Sequence, residues 1–121
     1  MFFEGNSSFK ILGQIILGLF FWIMIGKNIR VWQFNVDRTG VFLPKPEFFL
    51  VINFTLQFIA GLGLIINYHA SSSAVVLIVL TILATMMFHR FWNMVDPIKK
   101  NYHMLLFFNN FAIIGGLALL I

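Results

Sequence analysis

Four apolar stretches of about twenty residues each follow one another along this chain, each long enough as a helix to cross a bilayer core of about 30 Å. They cover about 8–29, 48–66, 74–91 and 102–121 of the 121 residues. In hydrocarbon every backbone N–H and C=O must be satisfied within the protein, so spans of this length are helices. The pattern predicts an all-α protein, an integral membrane four-helix bundle formed by a single domain over residues 1–121. Composition points the same way. The chain is 60% hydrophobic and only 10% charged, where a soluble domain has about a quarter charged residues. Lipid is therefore the expected solvent for most side chains. Glu4, Gly5 and Asn6-Ser7-Ser8 precede the first span. That span exceeds a signal-peptide core and no small-residue cleavage site follows it, so it is expected to stay in the mature protein.

The connectors carry the charge. The first, 31–46, holds Trp32, Asp37, Arg38, Gly40, Pro44 and Pro46; its prolines predict extended or turn backbone and a helix start near Glu47. The second is a polar turn, 67–73, whose serines can cap the third span. The third runs from Trp92 to Asn101 and is broken by Asp96-Pro97. Lys27, Arg30, Arg38 and Lys45 surround the first connector, and Arg90, Lys99 and Lys100 the third. Two spans separate these connectors, so seven of the eight basic residues share one face and only Lys10 lies on the other. The positive-inside rule predicts that this face is cytoplasmic and both termini are outside. Trp22, Trp32, Trp92, Tyr68 and Tyr102 read as an interfacial aromatic belt. Because the basic residues flank apolar segments and form no stripe, the net charge of +4 does not predict nucleic-acid binding.

Cysteine is absent, which excludes disulfides, thiolate metal sites and thioether haem attachment. No serine–histidine–acid set, paired carboxylates or phosphate loop is visible either. Polar residues inside the spans carry more information, because an unpaired amide in hydrocarbon costs a few kcal/mol, on the order of 2–7. They are Gln14, Asn53, Gln57, Asn109 and Asn110. Gln57 and Asn109 enter from the basic face to similar depths, roughly 15 and 12 Å at 1.5 Å per residue. One reading is interhelical hydrogen bonding; another is a ligand pocket for a small molecule or quinone headgroup at Gln57, Asn109, Asn110 and Trp92. Glycine and alanine supply close-packing faces: Gly13 and Gly18, Ala60, Gly61 and Gly63, and the Ala112/Gly116 pair.

Phe88-His89-Arg90-Phe91-Trp92, with Asp96-Pro97, is the densest polar segment. His89 and His103 share the basic face, but a metal normally takes three or four protein ligands and the acids here are few. No metal site is expected, and the histidines are read as bonding connector carbonyls or touching headgroups and a partner. Asp96 before proline predicts a turn, its carboxylate accepting from amides that start the next helix. His89, Arg90, Trp92 and Asp96 are the candidate partner or connector contacts.

These residues resemble a family. Phe88-His89-Arg90-Phe91-Trp92, Asp96-Pro97, Asn110 and Ile113-Ile114-Gly115-Gly116-Leu117 are similar to the DoxX family of small four-span membrane proteins, supported by Gly13, Lys27, Leu43-Pro44 and Ala60-Gly61-Leu62. The chain departs from the family at three places, with Gln14 for an arginine, Gln57 for a glutamate and Asn109 for a lysine. Three intramembrane charges would thus be neutral together, as mutual compensation requires. The resemblance implies a bacterial inner (plasma) membrane location and a non-catalytic accessory subunit or assembly factor of a larger membrane complex, respiratory or redox in nature. Its partners would be the lipid bilayer and other membrane-protein subunits. The alternative is a quinone- or lipid-binding subunit of a membrane oxidoreductase, with a polar site between the second and fourth spans. No cofactor is evident in the residues; quinone belongs to that alternative.

Overall fold

A computed structural model describes residues 8–121; Glu4, Gly5, Asn6 and Ser7 lie outside them. The described residues are all-α. Their order is α1 (Ser8–Arg30), α2 (Trp32–Gly40), α3 (Pro46–Ile66), α4 (Ala70–Phe88), a 3₁₀ turn (Phe91–Asn93) and α5 (Pro97–Ala118). Three helical segments are long and apolar enough to cross a membrane: Ser8–Arg30, Pro46–Ile66 and Ala70–Asn93. The chain thus has the make-up of a membrane protein. α5 is 22 residues long but is not among those three, since Lys99, Lys100, Asn109 and Asn110 dilute its apolar character.

The first connector departs from expectation. Instead of extended backbone it forms α2, nine residues long, with Asn35, Val36 and Thr39 buried on one face. Local side-chain bonds explain this. Gln33 donates to Asp37 one turn on at 2.9 Å, and the Asn35 amide donates to the Asn28 carbonyl at 2.9 Å, tying α2 to the end of α1. The prolines act only after Gly40. Lys45 takes a left-handed conformation (φ 51°) and Pro46 opens α3 at its first turn, where a missing N–H costs nothing.

The second connector is shorter than expected. Asn67 and His69, both left-handed, reverse the chain within three residues, and the Tyr68 amide donates to the Gly63 carbonyl at 2.9 Å, the longer bond of a Schellman motif. α4 therefore starts at Ala70, and Ser71, Ser72 and Ser73 lie in its first turn; the residue before the helix makes no side-chain cap bond. A Cβ on Gly63 would collide with Ser73 and the Tyr68 carbonyl, so glycine is what lets α4 fold back this closely. α5 begins at Pro97, five residues ahead of expectation, because Asp96 caps it: its carboxylate accepts from the Ile98 amide at 3.1 Å.

Consecutive long helices pack in sequence: α1 on α3, α3 on α4 and α4 on α5, with α2 against α3 and α1. At the α1–α3 crossing, Gly18 and Gly61 bring the backbones together. Trp22 lies in the same crossing, stacked on Phe58 with ring centroids 5.0 Å apart, its indole N–H donating to the Phe58 carbonyl at 3.0 Å. The buried cluster of Phe21, Ala60, Leu64, Ala74, Leu77, Leu117 and Leu120 joins Phe21 of α1 to the end of α3, the start of α4, the end of α5 and the turn after it. The bundle is therefore tight at the end remote from the basic connectors. At the basic end it opens into cavities.

Candidate functional site

The intramembrane amides meet separate partners. Gln14 is 1% exposed; its amide donates to the Leu64 carbonyl at 3.0 Å and to Asn67 Oδ1 at 2.7 Å, while its own Oε1 is buried without a partner. Both acceptors sit where α3 ends, so Gln14 closes the helix terminus as a donor. Gln57 donates to Asn53 one turn earlier in α3, at 3.2 Å. Asn110 donates across to Thr85 Oγ1 of α4 at 2.9 Å. Thr85 in turn donates to the Thr81 carbonyl at 2.6 Å, and Thr81 to the Leu77 carbonyl at 2.7 Å. Asn109 is exposed, and Trp92 packs on Phe91 and Phe107, with centroids 5.3 and 5.5 Å away. The four residues read as a shared pocket thus make their contacts apart from one another. Nor do Gln14, Gln57 and Asn109 form one bonded set.

The segment after α4 does gather its polar residues. His89 follows the last helical residue, and its Nδ1 lies 3.0 Å from Nδ1 of His103 on α5. Each ring nitrogen can serve as donor or acceptor, but one bond needs one of each. The two rings are therefore held as opposite tautomers at this nitrogen, or as a pair sharing one extra proton. Among the described residues no third His, Asp or Glu joins them in a metal-sized cluster. Arg90 donates through Nε to the Met86 carbonyl and places its guanidinium 5.3 Å from the Phe42 ring centroid. Asp96 is engaged as the α5 cap.

The residue missed in the sequence is Arg38. α2 carries it beneath the 88–94 segment, where its guanidinium stacks 4.0 Å from the Phe88 ring centroid and 5.3 Å from that of Phe34. It donates to Asn35 Oδ1 at 3.0 Å, and its Nε is buried with no acceptor. Among the described residues no carboxylate holds it. Burial alone pulls its pKa below the ordinary value, because an enclosed cation with no counter-charge is disfavoured. In a connector expected to be extended, nothing marked Arg38 for burial; the signal was the Gln33/Asp37 spacing that makes α2 a helix.

Two cavities meet here. A basic cup of about 550 Å³ is bordered by Arg38, Arg90, Lys99 and His103. An apolar slot of about 230 Å³ runs between α3 and α4 beneath α2, walled by residues such as Leu50, Leu80, Leu83 and Ala84. Met87 and Phe88 line both. Polarity enters the slot through Asn53 and through Thr39, whose hydroxyl is buried with no hydrogen-bond partner. Compared with protein-family models, with curated proteins and with solved structures, the chain finds no match, so the meaning of this corner rests on its own geometry.

Proposed function

We propose that the chain is a four-span membrane subunit without chemistry of its own, an accessory or assembly component that docks on a larger membrane complex, as its DoxX-like residues imply. In this reading α5 is the fourth span, about 33 Å long at 1.5 Å per residue. The basic connectors face the cytoplasm, both termini lie outside and the membrane is a bacterial inner membrane. A redox or respiratory complex is the partner class the resemblance favours.

The observation that carries the reading is Asn109. It is exposed midway along α5 and makes no hydrogen bond within the described residues. A free amide at that depth in lipid is costly, whereas one pressed against a neighbouring helix is a specific contact. Its surroundings suit a helix partner: Leu105 and Ala112 are exposed on the same side, and a Cβ on Gly115 would meet nothing within 4 Å. Only Leu117 is buried along α5, so most of this helix is free to contact another protein.

Purification in mild detergent, with mass-spectrometric identification of what co-elutes, tests this. A stoichiometric membrane-protein partner that is lost in Asn109→Leu is the expected result. A monodisperse single chain carrying bound quinone would reject the reading in favour of a quinone-binding subunit.

A further inference from the structure

We propose that the basic cup and the apolar slot form one binding site for an anionic phospholipid, with the phosphate in the cup at Arg38, Arg90 and Lys99 and an acyl chain in the slot between α3 and α4. The inference is independent of the docking partner proposed above.

Three features converge on this ligand. The cup gathers cations that have no counter-ion among the described residues: Arg38 is held by an amide oxygen and two aromatic faces, and Arg90 by a carbonyl and a ring. Asp37 and Asp96, the acids nearest in sequence, are engaged with Gln33 and the Ile98 amide. The half-buried Arg38 guanidinium lines the cup with no carboxylate partner among the described residues, so its charge is left for an anion to neutralise.

The slot adds a second requirement. It is walled almost wholly by hydrocarbon, yet holds two hydrogen-bonding groups, Thr39 and Asn53. The Thr39 hydroxyl is sealed behind the slot wall, so Asn53 is the polar group that can meet a ligand there. Asn53 uses its Oδ1 for Gln57, which leaves its amide N–H groups to donate. Ester carbonyls stand between the phosphate and the chains of a glycerophospholipid and are the acceptors such a donor suits.

The third feature is access. The slot borders Phe49, Ile52 and Leu83, all large apolar side chains exposed on α3 and α4, which are two of the helices apolar enough to span. A chain can enter sideways from the bilayer. A free phosphate would use the cup alone and leave the slot and the Asn53 donor unfilled. Cup and slot together reach the size of ligand pockets, about 300–1,000 Å³.

Native mass spectrometry of the full-length protein in detergent, titrated with phosphatidylglycerol, phosphatidylcholine of the same chains and inorganic phosphate, tests the site. Phosphatidylglycerol should bind at one equivalent and at least about tenfold tighter than phosphatidylcholine, the worth of one charge-assisted contact. Inorganic phosphate should not compete at equal concentration. Arg38→Gln should lose that preference, and Ala84→Phe, which fills the slot, should weaken both lipids while helix content stays unchanged. Should Arg38→Gln not fold, Lys99→Gln on the exposed rim reads the same charge term. Equal affinity for the two lipids, competition by phosphate, or indifference to both the charge and the slot variants would each overturn the proposal.

Discussion

Gly18 and Gly61 face each other across the α1–α3 crossing: a Cβ on Gly18 would stand 2.7 Å from the Gly61 carbonyl oxygen, and one on Gly61 3.3 Å from the Gly18 carbonyl. At Gly18 the obstacle includes backbone, which cannot swing aside as a side chain can; at Gly61 the nearest atoms are those of the Trp22 indole. In lipid, where apolar surface gains nothing by leaving the solvent, this approach and the Trp22 bond beside it are what hold the pair.

Gly18→Ala should accordingly destabilise the protein by about 1–3 kcal/mol, the usual cost of overpacking. Gly13→Ala, in the same helix with nothing within 4 Å of its Cβ, should be neutral or stabilising by up to about 1 kcal/mol through helix propensity. Thermal melting of both variants in one detergent reads the difference. Equal melting would mean that the crossing is not as close as described.

Gln14 is the donor that closes the end of α3, so the sign of its replacement depends on hydrogen-bond direction. Gln14→Glu at neutral pH offers only acceptors to the Leu64 carbonyl and Asn67 Oδ1 and should cost at least about 3 kcal/mol, as an uncompensated buried charge does. Gln14→Met removes the unpartnered Oε1 along with the donor and should cost much less. Denaturant titration in mixed micelles compares the two; a Glu variant as stable as the Met variant would contradict the assignment.

The α4–α5 contact depends on Asn110 and Thr85. A double-mutant cycle of Thr85→Val and Asn110→Leu should return a coupling of about 0.6–2 kcal/mol, the scale of hydrogen bonds between membrane helices. A coupling indistinguishable from zero would show that the bond at 2.9 Å does not contribute to helix association.

Asp96 separates capping from docking. Asp96→Ala should lose about 1 kcal/mol, whereas asparagine is as good a cap and Asp96→Asn should retain stability. If Asp96→Asn still lowers partner recovery from detergent extracts, its charge is read by the partner. If recovery follows stability in both variants, the residue serves only to start α5.

Much of the fold was legible in the sequence because hydrophobic length alone specifies spans: 8–29 and 48–66 differ from α1 and α3 by only one or two residues at any end. Asp96 was readable for a local reason, since a cap is set by its own neighbours. Trp22 was not. Its partner could not be read from its own neighbours, because the Phe58 carbonyl it bonds is reached only where Gly61 leaves room for the indole. That Gln57 bonds Asn53 and not Asn109 was hidden for the same kind of reason. Depth along a helix is counted from residue number, but azimuth depends on which neighbour the helix packs against, and α5 packs on α4. Arg38 stayed hidden because a short helix of mixed polarity has no hydrophobic period long enough to notice.

The end-to-end asymmetry of the bundle has a consequence for how it responds to change. Leu64, Leu77 and Leu117 are sealed at one end, while the far ends of α3 and α4 flank the slot. Such a molecule behaves as a pair of tweezers. Its pivot tolerates almost no alteration in side-chain volume, and its tips absorb variation in whatever they grip. Substitutions near the pivot should register as lost protein. Those near the tips should register as altered selectivity in a protein that is still made.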